Sequence, residues 1–216
     1  MSQAAGTGNL SLIDTLIENG VEIDGVDPED GDNETSLMRA AATDQHLVIR
    51  KLLENGADRF RKDADGRTAL MIAACFDRLN ALEELLKPEK SNEIAALEPG
   101  NRYEDLRDGM GRTALLWAAY MGKTRTTEAL IKRGVDLEIA DDWGRTPLMW
   151  AATSKGAEGY NAAAVLLEAG ADPLAEDKSG ATALTWAMEA GRKDIMELIA
   201  KFQFGADAEF IDQEPK

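Results

Sequence analysis

The feature that most constrains the fold is a short segment that recurs along the chain. Its three clearest copies begin at Gly66, Gly111 and Gly144, and each reads Gly-Arg-Thr, a short apolar stretch and an Ala-Ala pair. Weaker copies begin at Thr35 and Thr182. Self-similarity of this kind indicates a repeat architecture, in which each copy is one supersecondary unit that packs only on its neighbours.

The threonines of the five copies set the length of the repeat. They stand at positions 35, 68, 113, 146 and 182, so the spacings are 33, 45, 33 and 36. A period of 33 with insertions of 12 and 3 residues accounts for these spacings. Several copies also end in a Gly-Ala-Asp type sequence, as in Gly56-Ala57-Asp58 and Gly170-Ala171-Asp172.

Period, core sequence and ending together closely resemble the ankyrin repeat, and the resemblance covers about residues 3–209. It implies an all-α ankyrin-repeat solenoid of about six helix-turn-helix units with hairpin-like turns, in a single domain over residues 1–216. The expected units span about 1–29, 30–62, 63–107, 108–140, 141–176 and 177–216. The family's His after the core Leu is replaced in the five copies by Met38, Met71, Leu116, Met149 and Thr185. Apolar packing is therefore expected where the family uses a hydrogen bond.

The physical chemistry of the motif agrees with this fold. A Thr hydroxyl caps the start of a helix well, and Pro147 suits a first helical position. Glycine ends a helix at low cost where φ must be positive. A single helix pair cannot bury its own apolar face, so the units must stack.

Two regions depart from the period. The insertion of residues 87–107 carries Pro88 and Pro99 around Ser91–Leu97, where one or two helical turns are expected. It is either a loop packed on the outer helices or a partner contact, because insertions in repeat proteins often map to a binding face. The first unit lacks its threonine, so it is either a short cap or a unit cut at its start.

Such a cut would fit removal of a signal or pro-segment. The sequence as given begins without a signal peptide, so the compartment stays open. The sequence as given would predict a cytoplasmic protein, and removal of a signal would predict a secreted or periplasmic one.

Composition excludes several function classes. The chain has 24 Lys+Arg against 40 Asp+Glu, a net charge of −16, which argues against nucleic acid or an anionic membrane as partner. It has one histidine, His46, and one cysteine, Cys75. With these parts most catalytic triads and histidine-based zinc or acid–base sites are disfavoured, and a multi-cysteine metal site cannot be assembled. The sequence predicts no catalytic residue, no metal site, no cofactor and no enzymatic activity.

Aromatic residues recur in one register of the repeat. Four positions after the threonine stand Trp117, Trp150 and Trp186, on three consecutive units. The helical period places Tyr120, Met121 and Phe76 on the same helix face. In the ankyrin family this face lines the concave groove. The stripe either packs between repeats or binds a partner, and both can hold because a Trp can pack one edge and expose the other.

A further Trp lies outside that register. Trp143 follows Asp141 and Asp142 at the tip of a predicted hairpin-like turn, where packing gives little reason for an indole. Exposed Trp and Tyr are typical binding hot spots.

The predicted partner-binding residues are Phe76, Trp117, Tyr120, Met121, Asp141, Asp142, Trp143, Trp150 and Trp186. The expected partner is a protein with a basic or mixed surface. On its own the chain is expected to be a monomer. We expect Trp117→Ala and Trp143→Ala to weaken the complex with little loss of helix.

Two kinds of function fit a non-enzymatic binding module of this type. One is an inhibitor or immunity protein that occludes a harmful enzyme such as a nuclease or a cell-wall hydrolase. The other is an adaptor that links larger assemblies. An adaptor predicts two separate contact surfaces, whereas an inhibitor predicts one concave patch and a tight one-to-one complex.

Overall fold

The computed structural model describes residues 1–26, 31–87 and 102–204, and within these ranges the regular elements are helices. Six α-helix pairs follow one another along the described chain. The first helices of the pairs are α1 (Ser2–Thr7), α3 (Ser36–Ala42), α5 (Ala69–Cys75), α7 (Ala114–Tyr120), α9 (Pro147–Thr153) and α11 (Ala183–Glu189). The second helices are α2 (Leu10–Glu18), α4 (His46–Glu54), α6 (Leu79–Leu85), α8 (Thr124–Lys132), α10 (Gly156–Glu168) and α12 (Lys193–Phe204).

The helix pairs stack on one another in chain order. Each first helix packs against its own second helix and against the first helix of the next pair. The second helices pack on one another in the same order. We call the first helices the inner layer and the second helices the outer layer. The all-α solenoid predicted from the repeat is confirmed.

A threonine directly precedes each inner helix from α3 to α11, as the motif predicted, whereas α1 follows Met1 and the Thr68 hydroxyl makes no cap hydrogen bond. Oγ1 of Thr35 accepts a hydrogen bond from the backbone N–H of Met38 at 3.3 Å, and Thr113 does the same for Leu116 at 3.4 Å. These bonds satisfy donors that the first turn of a helix leaves without a partner. Pro147 stands at the first position of α9, where a missing N–H costs nothing.

Methionine sulfur takes over part of the role of the missing histidine. The backbone N–H of Thr35 lies 3.4 Å from Sδ of Met38, and that of Thr146 lies 3.4 Å from Sδ of Met149. Thioether sulfur is a weak acceptor, but it still pairs a buried donor. The expectation of apolar packing alone is therefore wrong at these two positions, because the side chains also accept a hydrogen bond.

Small residues let neighbouring inner helices approach closely. The Ala-Ala pairs have no solvent exposure; they are Ala40 and Ala41, Ala73 and Ala74, Ala118 and Ala119, and Ala151 and Ala152. Buried leucines such as Leu70, Leu82 and Leu115 fill the space between the layers. Burying one such side chain contributes about 2 kcal/mol. The core therefore runs continuously through the stack and needs each neighbour in place.

The solenoid continues across the insertion of residues 87–107. Helices α5 and α7, on either side of it, pack directly against each other. The N–H of Gly109 donates to the carbonyl of Asp65 at 2.9 Å, which joins the two flanking units again. The prediction that the insertion leaves the stack unbroken is confirmed. The helical turns expected over Ser91–Leu97 lie outside the described residues.

Arg59 ties the two ends of the insertion together. Its Nη1 donates to the carbonyl of Lys87 at 3.3 Å, just before the segment that is not described. Its guanidinium also lies 5.5 Å from the ring centroid of Tyr103, just after that segment. Tyr103 begins a short 3₁₀ helix, Tyr103–Asp105, and is buried edge-on against Phe60 with ring centroids 5.6 Å apart.

Candidate functional site

Four short turns precede inner helices α5, α7, α9 and α11, and we call them fingers. They are Asp63–Gly66, Asp108–Gly111, Asp141–Gly144 and Asp177–Gly180. The second residue of a finger donates its N–H to the carbonyl of the third residue of the preceding finger, at 2.9–3.2 Å. The third residues therefore stand in one row, which contains Asp65, Met110, Trp143 and Ser179.

The last residue of a finger must be glycine. Gly144 has a φ of +83°, a conformation that side chains with a Cβ rarely adopt. A Cβ at this position would also lie 2.8 Å from the backbone nitrogen of Lys178 in the next finger. The close approach of neighbouring fingers thus explains why the motif begins with glycine.

An aspartate at the first position closes each finger. Oδ1 of Asp141 accepts hydrogen bonds from the backbone N–H groups of Trp143 and Arg145, both at 2.9 Å. Asp63, Asp108 and Asp177 bond their own fingers in the same pattern. Such bonds are typical of Asx turns, in which the side chain substitutes for a backbone acceptor.

The second carboxylate oxygen of that aspartate holds a tryptophan and an arginine. Oδ2 of Asp108 accepts from Nε1 of Trp117 at 3.0 Å and from Nε of Arg112 at 2.9 Å. The guanidinium carbon of Arg112 lies 3.9 Å from the centroid of the Trp117 ring. The indole thus has its N–H bonded at one edge and one face covered by a cation, a favourable arrangement for its quadrupole.

The arrangement of aspartate, arginine and tryptophan recurs one repeat later. Oδ2 of Asp141 accepts from Nε1 of Trp150 at 3.1 Å and from Nε of Arg145 at 3.0 Å. The guanidinium of Arg145 again lies 3.9 Å from the indole centroid. The arginines of the Gly-Arg-Thr motif are therefore part of the finger structure.

The last finger keeps the aspartate and the tryptophan but lacks the arginine. Nε1 of Trp186 donates to Oδ2 of Asp177 at 2.9 Å, and Ala181 occupies the arginine position. Burial alone would raise the pKa of Asp177. Hydrogen bonds from Ser179, Ala181 and Trp186 outweigh that effect, so its pKa lies below the usual value.

Arg145 contacts three tryptophans. Besides Trp150 it lies 4.7 Å from the ring centroid of Trp143 and 5.8 Å from that of Trp186. Both distances fall within the range of about 6 Å over which a cation interacts with an aromatic face. Arg145 thus covers the Trp186 ring, whose own finger carries Ala181 at the arginine position.

Tyr120 joins the tryptophans of consecutive inner helices. Its ring lies edge-on to Trp117 with a centroid distance of 6.2 Å and edge-on to Trp150 with a distance of 4.8 Å. Edge-to-face pairs of this kind add to the stabilisation from burial. An unbroken cluster of aromatic rings and guanidinium groups therefore runs from Trp117 to Trp186, and we call it the aromatic cluster.

The predicted partner-binding residues differ in how far solvent reaches them. Phe76, Tyr120, Asp142 and Trp143 are exposed; Met121, Trp150 and Trp186 are half-buried; Trp117 is buried. The stripe on the inner helices therefore packs between repeats and also presents part of its surface. Trp143 is 48% exposed and Trp117 is 9% exposed, so the two differ most.

Asp141 is the predicted site residue that needs correction. Its carboxylate has no solvent exposure and accepts bonds from Trp143, Arg145 and Trp150. The prediction that Asp141 offers its charge to a partner is therefore wrong. Asp142, the next residue, is exposed and keeps that role as a prediction.

Sequence reasoning missed the partners of the tryptophans and one exposed apolar residue. An aspartate stands nine residues before each of Trp117, Trp150 and Trp186, and this constant spacing was a readable signal. Alignment of the repeats on their threonines places Met110 at the same finger position as Trp143. Met110 is 47% exposed in the structure.

The described residues hold no chemistry that points to catalysis. They contain no group of three or more His, Cys, Asp and Glu side chains able to hold a metal ion. Cys75 is half-buried, and burial raises the pKa of its thiol, the opposite of the shift that activates a cysteine. None of the described helices is long and apolar enough to cross a membrane.

The family model described as "Ankyrin repeats (3 copies)" matches residues 1–96 and 94–177. The chain belongs to the ankyrin-repeat family. Ankyrin repeats generally serve as protein–protein interaction modules.

Two of the proteins similar to this ankyrin-repeat protein are much longer chains, and a third is a solved domain of similar extent. The ankyrin-repeat protein is 32% identical to inversin of Canis lupus familiaris over 197 residues, which are 90% of the chain and 17% of inversin. It is 54% identical to palmitoyltransferase AKR1 of Saccharomyces cerevisiae over 52 residues, which are 24% of the chain and 7% of that protein. A solved ankyrin repeat domain from Acinetobacter baumannii AYE matches with a TM-score of 0.74 at 26% identity, covering 94% of this chain and 96% of that one.

The ankyrin-repeat protein thus spans less than a fifth of the length of the inversin and transferase chains.

Proposed function

We propose that this ankyrin-repeat protein is a non-enzymatic module that binds a protein partner through its fingers and the exposed part of its inner helices. The observation that carries the proposal is the exposure of Trp143 together with its indole N–H, which is unbonded within the described part of the chain. Trp143 is 48% exposed, and its indole N–H has no acceptor among the described residues. The three other indole N–H groups are bonded to aspartates.

Other exposed apolar residues on the fingers and inner helices enlarge the proposed surface. Met110 stands beside Trp143 in the finger row, since Asp142 N–H donates to the Met110 carbonyl at 3.2 Å. Tyr120 is exposed at the edge of the aromatic cluster, and Phe76 is exposed at the end of α5. Aromatic and Met side chains are enriched at the centres of protein interfaces, and Trp is prominent among hot spots.

Charge favours a basic or mixed partner surface. The chain carries a net charge of −16, and the finger arginines Arg67, Arg112 and Arg145 are neutralised by their own aspartates. Asp65 and Asp142 remain exposed in the fingers. Such a field would raise the association rate with a cationic partner and make that rate fall with salt.

The finer form of the proposal is an inhibitor or immunity protein. A rigid surface with one half-exposed Trp can cover the entrance of an enzyme, such as a nuclease or a cell-wall hydrolase, in a one-to-one complex. A basic enzyme surface would match the charge of this chain.

One observation favours an adaptor as the second candidate. A cavity of about 430 Å³ lies between outer helices α6 and α8, with Leu79, Leu82, Leu86 and Ala129 among its lining residues and Arg125 and Lys132 beside them. The described lining residues all belong to the outer layer or to the residue that follows its helices. An adaptor would use such a second surface at the same time as the fingers.

Affinity capture with matched variants tests the proposal. The parent chain, Trp143→Ala and Leu174→Ala serve as baits in extract of the native source. Leu174 is an equally apolar residue that is 66% exposed outside the fingers, so its variant is the control. A protein held by the parent and by Leu174→Ala but lost from Trp143→Ala supports binding through the fingers.

The captured protein then separates the two functions. A purified one-to-one complex in which a captured enzyme loses activity supports the inhibitor. Simultaneous binding of two different proteins supports the adaptor. Equal capture by all three baits would place the contact away from Trp143 and overturn the proposal.

A further inference from the structure

Arg145 occupies a position that no other finger arginine shares. It lies between Trp143 of its own finger, Trp150 of the helix that follows and Trp186 of the next repeat. Arg112 lies over Trp117. Arg67 has Ile72 at the equivalent helix position, so it has no indole to cover there.

The difference follows from the sequence of the last finger. Ala181 stands where the other fingers carry arginine, so Trp186 receives no guanidinium from its own repeat. The orientation of Trp186 is fixed by Asp177, which accepts its N–H at 2.9 Å. Arg145 therefore lies beside two indoles, Trp150 and Trp186, whose orientations are fixed by hydrogen bonds to aspartates.

Arg145 is itself firmly held. Its Nε donates to Oδ2 of Asp141 at 3.0 Å, and its backbone N–H donates to Oδ1 of the same residue at 2.9 Å. Its side chain is 19% exposed, and the carboxylate that pairs with it has no exposure at all. A planar guanidinium in such a pair keeps a defined plane, which an ammonium group on a flexible stem would not.

From these contacts we infer that Arg145 is a positioning residue that holds Trp143 in one orientation before any partner arrives. Trp143 has no indole hydrogen bond among the described residues, so the face of Arg145 is the specific contact that orients its ring. Restricting the ring in advance lowers the entropic cost of binding. The inference rests on the proposed function only in the claim that a partner uses Trp143.

The positioning role is testable in the free protein. Incorporation of 5-fluorotryptophan gives four ¹⁹F signals, one for each Trp, which single Trp→Phe variants assign. Arg145→Gln removes the charge and the guanidinium group and leaves a shorter polar side chain, Arg145→Lys keeps the charge without the plane, and Arg112→Gln is the matched control.

The expected result is specific to one arginine. Arg145→Gln shifts the signals of Trp143, Trp150 and Trp186 and narrows the Trp143 line, because that ring gains motion. Arg145→Lys narrows the same line to a smaller degree. Arg112→Gln shifts the Trp117 signal and leaves the Trp143 line width unchanged. An unchanged Trp143 line in both Arg145 variants, or equal narrowing in Arg112→Gln, would overturn the inference.

A gain-of-contact variant keeps the test decisive if Arg145→Gln does not fold. Ala181→Arg supplies the last finger with its own arginine and should shift the Trp186 signal while the Trp143 line stays broad. Arg145→Lys must still narrow the Trp143 line, and failure to do so would refute the positioning role. Because these measurements use the free protein, they can fail while capture through Trp143 succeeds, and the reverse also holds.

Discussion

Trp150 donates its indole N–H to Oδ2 of Asp141, nine residues earlier in the chain, at 3.1 Å. This bond joins the middle of an inner helix to the finger that precedes it. The same bond links Trp117 to Asp108 at 3.0 Å, one repeat earlier. The tryptophan stripe is therefore built into the repeat itself, and its role in binding depends on the part that stays exposed.

Asp141 and Asp142 should differ sharply in their effect on stability. Asp141→Ala leaves the half-buried Arg145 without its counter-ion and removes four hydrogen bonds, so it should lower the free energy of unfolding by about 3 kcal/mol. Asp142→Ala removes an exposed charge and should change it by less than about 0.5 kcal/mol. Urea unfolding followed by circular dichroism checks both values, and equal losses would contradict the assignment of Asp141 as structural.

Trp117 and Trp143 should separate stability from binding. Trp117→Ala empties a buried site and breaks the bond to Asp108, so it should cost about 3–5 kcal/mol in unfolding free energy. This replaces the expectation from sequence that both variants keep their helix. Trp143→Ala should leave the unfolding free energy within about 0.5 kcal/mol of the parent.

Once a partner is in hand, Trp143→Ala should weaken the complex by about 2 kcal/mol, roughly 30-fold in Kd. Calorimetric titration at fixed salt measures the change. Leu174→Ala should bind as the parent does, and a full-strength complex with Trp143→Ala would show that the contact lies elsewhere.

Stability should depend on acid pH through Glu84 in α6. A hydrogen bond from Arg50 of α4, supported by Lys87, lowers the pKa of Glu84 from about 4.5 to about 2 in the folded chain. A carboxyl whose folded pKa is depressed stabilises the fold above its unfolded pKa. That contribution is fully present above about pH 5 and is lost as the pH falls towards 2.

Glu84→Gln should therefore lower the free energy of unfolding at pH 7 and flatten its decline between about pH 5 and 2. Glu83→Gln, which changes the exposed neighbouring carboxylate, is the control. Chemical unfolding at a series of pH values provides the measurement. An unaltered pH slope in Glu84→Gln would mean that the pair with Arg50 does not form in solution.

A methionine in the histidine position should stabilise the fold through its sulfur atom as well as through apolar packing. Met149→Leu keeps the volume but leaves the Thr146 N–H without its sulfur acceptor, which should cost about 1 kcal/mol. Met188→Leu makes the same exchange at a residue that is 58% exposed and should have little effect. Thermal unfolding compares the two, and equal melting temperatures would assign no role to the sulfur.

Sequence was sufficient for the fold because each local signal agreed with the others. The threonine of each repeat predicted a helix start, and helices begin directly after Thr35, Thr68, Thr113, Thr146 and Thr182. The spacing of 45 between Thr68 and Thr113 revealed the insertion while the flanking units kept their pattern. Periodicity suffices here because every helix pair packs on its neighbours in the same order.

The candidate site was less predictable, because exposure depends on contacts between repeats. Helical register placed Trp117 and Trp150 on one face, but it could not show that their N–H groups turn towards aspartates nine residues back. It also treated Asp141 and Asp142 as equivalent, although their neighbours in space differ. The Asp141 carboxylate is buried because it turns towards Trp143, Arg145 and Trp150, whereas Asp142 is exposed.

The contacts of Arg59 have a consequence for protein engineering. Arg59 holds both Lys87 and Tyr103, and the bond from Gly109 to Asp65 restores the register of the repeats beyond them. We therefore expect the number of residues between 87 and 103 to have little effect on the geometry of the solenoid. The position is suited to grafting a foreign peptide, and to a circular permutation whose new termini would begin close together on either side of one arginine.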